Sequence, residues 1–387
     1  MTAPTQDSVL EAQIAHVLAD LNQLSASLAA VLSLQTGMGR AVLDRFELLI
    51  DGLRAKLTSM AGNGGADWTG LAKVRRSAAQ ISREALAFVQ SVLLRERKLD
   101  NGTGVIGERL LDELSERTSE DRRVLLAVSD NEFFSHTVSM VRGRYPDVSV
   151  WNLPVLAHEL GHHVAATLRH SDPALREDYR PIAIYLSEEA DNEASFAHVD
   201  RGVALAHVHE LFADVYAIYV LGGAYPLNMI ALSARPDRFD AATETHPSWS
   251  RRVHTMQAAA DVLGGFGDVV AAGYRDLAET ISGIWRVIAG DGDITGRERA
   301  VTAQQAEGMV RVLAKHAFSR ARYDMPERVN TIVIDPMQPL VGPAEGVTLA
   351  DVLNAVWRWR IENWGSAGWL IEDASRRALE LCRQMIR

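Results

Sequence analysis

Only one cysteine, Cys382, occurs in the 387 residues. Without a second thiol no intramolecular disulfide framework can form, and a reducing compartment, the cytoplasm, is the expected location. Basic charge is also in short supply. Lys and Arg number 40 against 50 Asp and Glu, a net charge of -10, and a field of that sign does not favour phosphate, so nucleic acid is not expected as the main partner. The opening MTAPTQDSVLEAQ lacks the basic start and short apolar core of a secretion signal. No internal repeat or low-complexity tract stands out. The longest apolar run, Val215 to Ala234, is broken by Gly222, Gly223 and Pro226 and contains Asn228, so no clear membrane span is expected.

What is present is mostly helical in pattern. Residues 7–61 carry Leu, Val and Ala at helical spacing with a break at Thr36 to Gly39, which predicts a helical hairpin. The Gly62 to Gly65 loop follows, then a third helix from about Thr69 to Lys98. Short strands are expected at Val124 to Val128, Asp147 to Trp151 and Thr331 to Ile334. Residues 173–234 read as helical throughout, as do 252–263 and 269–288. Thr302 and Gln305 have the spacing of a capping box. Asp291 to Gly296 begins like a calcium loop, but position twelve is Thr302 where such a loop needs glutamate. In the tail, residues 348–386 predict two amphipathic helices holding Trp357, Trp359, Trp364 and Trp369, expected to pack as core. The expected organisation is a helical docking or regulatory region over 1–100, a metal-binding catalytic domain over 101–290, and a helical C-terminal region over 291–387.

The stretch Val155 to Ala166, VLAHELGHHVAA, contains the pattern HExxH. Residues four apart share a helix face, so His158 and His162 can offer their imidazoles to one ion. Glu159, one position round, can address a water bound to that ion. Pro154 suits the first turn of this helix, and Leu156, Leu160, Val164 and Leu168 give it an apolar flank. A catalytic zinc needs a third protein ligand and an open position. The favoured candidate is Glu210, with Asp214 four residues on to accept the far N–H of a ligand histidine. Glu193 and Glu189, in the acidic run Glu188 to Glu193, compete for that place, although the run reads more naturally as a solvated face or a cleft rim. His163 must point elsewhere than His162, and His198 and His207 have no metal spacing to the motif.

Downstream lies Thr245 to Val253, THPSWSRRV. HExxH, ExxxD and HPxxxxR in this order resemble the gluzincin metallopeptidases, and are most similar to soluble relatives of the CaaX prenyl endopeptidase and HtpX-type group. The matching residues are His158, Glu159, His162, Glu210, Asp214, His246, Pro247 and Arg252, spanning roughly a hundred positions. The resemblance implies a mainly α, α+β zincin fold with the HExxH helix packed under a small sheet. It also implies that His246 and Arg252 lie near the cleft, holding substrate or the developing oxyanion.

The resulting expectation is a zinc endopeptidase acting on protein or peptide substrates. His158, His162 and Glu210 hold one zinc ion, and Glu159 is the general base. The alternative is a zinc-binding helical scaffold with the same fold and no turnover. A protein partner on the N-terminal helices is compatible with either.

Overall fold

The computed structural model describes residues 6–31, 38–62, 67–97, 99–118, 125–129, 133–135, 140–144, 149–167, 180–234, 240–266, 271–289, 295–315, 321–324 and 327–386. It is mainly helical. The chain divides into two compact units: residues 1–104 with 125–145, and residues 105–124 with 146–387. This differs from the three-part division expected from sequence. The C-terminal region belongs to the same unit as the HExxH segment, and residues 125–145 return to the N-terminal unit.

In the first unit the apolar stripes form α1 (Gln6–Val31), α2 (Met38–Gly62) and α3 (Trp68–Glu96), which pack on one another. Their core is Leu, Ile, Val and Phe, with Phe46 and Phe88 in contact at 6.1 Å between ring centroids. Asp67 caps α3 by accepting the Gly70 N–H at 2.7 Å. The helix α4 (Thr103–Arg117), which the sequence reading did not single out, opens where Asp100 accepts the N–H groups of Gly102 and Gly104, and from Val105 onward it belongs to the second unit.

Strands β1 (Leu125–Ser129), β2 (Phe133–Ser135) and β3 (Met140–Arg144) form a sheet ordered β1-β3-β2. The β1–β3 pairing is parallel, with Leu125 opposite Met140, and β2–β3 is antiparallel. The sheet belongs to the first unit, where β1 packs on α3 and α2. Among the described residues the second unit, which holds the HExxH helix, has no strand; the small sheet falls in the first unit. Of the expected strand Asp147 to Trp151, the described part, Ser149 to Trp151, is turn. Thr331 closes a short 3-10 helix, and Ile332 to Ile334 has no regular structure.

The second unit is built round α5 (Val155–Thr167), α6 (Pro181–Ala197) and α7 (Arg201–Leu221), with α5 packed on α7 and α6. Pro181 opens α6, and the left-handed residue His198 (φ 54°) closes it. Asp200 then caps α7 by accepting the Gly202 N–H at 2.7 Å. Helix α7 is long and apolar enough to cross a membrane, but 72% of its most apolar window is buried inside the protein. Gly222, at φ 77°, ends it in a conformation that glycine adopts without strain. The chain turns back at once into the short α8 (Ala224–Asn228), followed by a π-helical turn, Met229–Ser233.

Ser248 caps α9 (Trp249–Gly264), which packs on α7, α10 (Ala271–Ala289) and α11 (Gly296–Lys315). The capping box that opens α11 is Thr295 with Glu298: the Thr295 hydroxyl accepts the Glu298 N–H and Glu298 accepts the Thr295 N–H. Thr302 and Gln305, expected at that start, lie within the helix and are buried. The possible calcium loop falls largely on residues 290–294, outside the described residues.

The tail forms α12 (Leu349–Glu362) and α13 (Gly368–Met385), with a capping box between Thr348 and Asp351. Trp357 is buried and donates from Nε1 to the Trp151 carbonyl at 3.2 Å, while Trp364 and Trp369 are exposed. Asn354 of α12 donates to the Leu221 carbonyl and accepts the Ala224 N–H. The tail thereby fixes the corner between α7 and α8.

Candidate metal centre

The HExxH spacing does what a helix dictates. On α5 the imidazoles of His158 and His162 face the same way, with their Nε2 atoms 3.2 Å apart. Leu156, Leu160 and Val164 bury the apolar flank. Gly161 is a point of close approach to α7. A Cβ there would lie 2.9 Å from the Ala213 Cα and 3.1 Å from the Tyr216 ring. The absent side chain lets the two helix backbones approach, and this carries Glu210 to the histidines.

Glu210 places Oε2 3.4 Å from His158 Nε2 and Oε1 3.3 Å from His162 Nε2. The three residues offer ligand atoms all within 4.8 Å of one another. Donors about 2.0–2.1 Å from a tetrahedral ion lie roughly 3.3 Å apart, which is the spacing seen here. Two imidazole nitrogens and a carboxylate suit zinc and also other divalent ions that accept nitrogen and oxygen ligands. Glu210 and Asp214 lie in the middle of α7, so the exposed helix start that would make them ordinary dipole partners is not present.

Behind His158 is a buried polar cluster. Asp214 Oδ1 lies 3.0 Å from His158 Nδ1. Arg252, at the start of α9, forks onto Asp214, with Nε 2.8 Å from Oδ2 and Nη2 2.6 Å from Oδ1. Its Nη2 is also 3.8 Å from Glu210 Oε2, and its guanidinium stacks over Trp249 at 5.0 Å. Arg252 is only 6% exposed. Its contacts are therefore inside the protein, with Asp214 behind His158 and with the donor Glu210 itself. Tyr225 of α8 completes the cluster. Its hydroxyl donates to Asp214 and lies 2.9 Å from His158 Nδ1. The sequence reading missed Tyr225. Its only signal was a tyrosine just past the glycine break in an apolar run, and no spacing rule connects it to HExxH.

His246 sits on the other side of Glu210, with Nε2 3.6 Å from Oε1 and a side chain 54% exposed. Its loop is tied down locally. Thr243 accepts the His246 N–H at 2.9 Å, Thr245 pairs with Nδ1 at 2.8 Å, and His207 of α7 reaches the Thr243 carbonyl at 2.7 Å. His207 thus supports the loop of His246 from outside the donor group. His163 is buried and also lies outside that group.

Burial disfavours a charged His158, yet the hydrogen bonds and charges of Asp214 and Glu210 outweigh it and hold its pKa up at about 10. Burial acts against ionised Glu210 and Asp214, but His158, His162 and Arg252 together pull Glu210 far below the carboxylate range. Arg252 and His158 hold Asp214 at about 2. Glu159 is different. Burial pushes it above the usual carboxylate range, and the neighbouring histidines only partly offset this.

The competing acid Glu193 is accounted for elsewhere. It is buried and paired with Arg251, whose Nη2 lies 2.6 Å from Oε2, and it accepts Gln305 Nε2 at 3.3 Å. Glu193 alone leaves the expected solvated face: Glu188, Asp191 and Asn192 are exposed and Glu189 is half-buried, and the described metal group includes neither Glu193 nor Glu189. Comparison of the chain with protein-family models, curated proteins and solved structures finds no match.

Proposed function

We propose that this chain is a zinc-dependent endopeptidase of the gluzincin type, with a zincin-class catalytic domain and protein or peptide substrates. The supporting observation is the group His158, His162 and Glu210, with donor spacings of 3.2 to 3.4 Å and Glu159 beside it on α5. Zinc held there would supply a Lewis acid that brings the pKa of a bound water towards neutrality. Glu159, whose proton affinity burial has raised, takes the proton of the attacking water and passes it to the leaving amine. His246, exposed next to Glu210, donates an N–H to the carbonyl oxygen as charge grows on it. Arg252 acts one layer back, holding Asp214 against His158. A cytoplasmic location belongs to the same proposal and rests on the lone, buried cysteine.

The test is zinc content together with casein cleavage. The wild-type chain is expected to hold about one zinc and to cleave. Glu159→Gln should keep the metal and lose turnover by on the order of a thousandfold, since a base is removed and no ligand is. Near-normal cleavage by Glu159→Gln would remove the hydrolytic mechanism. Zinc binding with no cleavage, by the full chain or by one lacking the N-terminal helices, would leave a metal-binding scaffold.

A further inference from the structure

Proton bookkeeping around Tyr225 assigns that residue a role. Asp214 is a carboxylate and can only accept, so the single hydroxyl proton of Tyr225 goes to Asp214 Oδ1. Arg252 can only donate, and its Nη2 lies 3.3 Å from the same hydroxyl oxygen. The oxygen that faces His158 Nδ1 at 2.9 Å is therefore an acceptor. Asp214 Oδ1, at 3.0 Å, is the second acceptor facing that nitrogen. A ring nitrogen facing two acceptors keeps its proton, so Nε2, on the side of Glu210 and His162, is the nitrogen that gives up its proton and offers a lone pair when an ion binds. The Tyr225 ring also lies nearly parallel to the imidazole, with centroids 5.6 Å apart at 13°, and opposes rotation of the His158 ring.

The fold places Tyr225 with care. Only the sharp corner at Gly222, held by Asn354 of the tail helix, returns the chain to the helix it has just left. At Gly223 a Cβ would meet Leu277 Cδ1 at 3.1 Å, so the corner is closely packed on its outer side.

We infer that Tyr225 is a positioning residue of the metal site, whose hydroxyl and ring, together with Asp214, fix the tautomer and orientation in which His158 meets the ion. The inference rests on the metal-site reading above. It goes further by assigning metal affinity to a residue that supplies no ligand atom.

Tyr225→Phe keeps the ring and removes the hydroxyl. Zinc affinity is measured by competition with a chromophoric chelator, and ligand geometry by the visible absorption of the cobalt-substituted protein. Tyr225→Phe should weaken zinc roughly tenfold or more, as loss of a ligand's supporting hydrogen bond does, and should change the cobalt spectrum. Tyr274→Phe is the control. It removes a buried phenol that donates to the Tyr323 carbonyl at 2.8 Å, outside the metal site, and should cost stability while leaving zinc affinity and spectrum unchanged. Wild-type affinity and spectrum in Tyr225→Phe would overturn the inference, as would an equal loss of zinc in Tyr274→Phe. A wild-type chain that binds neither zinc nor cobalt would sink the metal-site reading itself. A zinc-binding wild type with an unaltered Tyr225→Phe sinks only the role of Tyr225.

Discussion

Two neighbouring arginines at the start of α9 do the same thing to two different carboxylates. Arg251 grips Glu193 of α6, and Arg252 grips Asp214 of α7. Both acids are fully buried at the side chain. What separates the pairs is the next contact outward. Glu193 goes on to Gln305, a neutral amide on α11, so that network ends in a helix packing. Asp214 goes on to His158, one of three clustered metal donors. A buried ion pair thus says little about function by itself. The group it presents to, and whether that group still has a lone pair to offer, decides the matter. The first unit shows the contrast from the other side. Among its described residues, the buried ionisable groups are Glu84 and Asp100, and the helices there pack on aliphatic and aromatic contacts.

Breaking each pair in turn is the most forceful way to test the comparison. Arg252→Met leaves Asp214 buried without its counter-charge, at a cost of about 3–5 kcal/mol. It also loosens the acceptor of His158, so zinc affinity should fall by roughly tenfold or more. Arg251→Met should cost about 3 kcal/mol, since Arg251 is slightly more exposed, with zinc affinity unchanged. Urea midpoints on metal-free protein and chelator competition on each variant separate the two effects. Equal loss of zinc in both variants would mean that the site responds only to overall stability and that the two arginines do not differ.

How much of this was legible in the sequence follows from the range of each interaction. His158 and His162 are fixed by helix geometry over one turn, and Glu210 with Asp214 by the same rule on a second helix, so the residues that cluster could be named from spacing. Pairing those two helices depended on Gly161, whose importance is visible only once Ala213 and Tyr216 lie against it. Arg252 was found but set on the cleft side, because a pattern gives a residue's presence and not the direction of its side chain. Tyr225 was missed because its contacts depend on a chain reversal at Gly222. The sheet is a similar case. Strand propensity located β1 to within a residue, but nothing local indicated that it would pack on α3.

A smaller perturbation sharpens the same point through the helix contact. Gly161→Ala adds one methyl group where the Ala213 backbone is 2.9 Å away. Helices α5 and α7 must separate slightly, at a cost of about 1–3 kcal/mol. Because the donors sit on both helices, zinc should weaken together with stability. A Gly161→Ala protein with unchanged stability and zinc affinity would show that the close approach is not required.

The smallest expected effect concerns pH, and it isolates the structural pair from the metal pair. Burial acts to raise the pKa of Glu193, but its bonds to Arg251 and Gln305 win and hold it below the ordinary value of 4.5. A carboxylate depressed in the folded state contributes stability above its unfolded pKa and loses it as pH falls through the folded value. The Glu193 contribution should therefore be complete at neutral pH and decline below 4.5. Glu193→Gln cannot titrate, so its stability should fall less steeply than wild type on acidification, from a lower starting point at pH 7. Unfolding is measured with the metal chelated, so that protonation of His158 and Glu210 is common to both proteins and cancels in the difference. The difference between the two stability curves should be flat above pH 6 and shrink towards acid. A difference that stays constant across the acid range would show that Glu193 keeps its ordinary pKa and that Arg251 holds it by packing more than by charge.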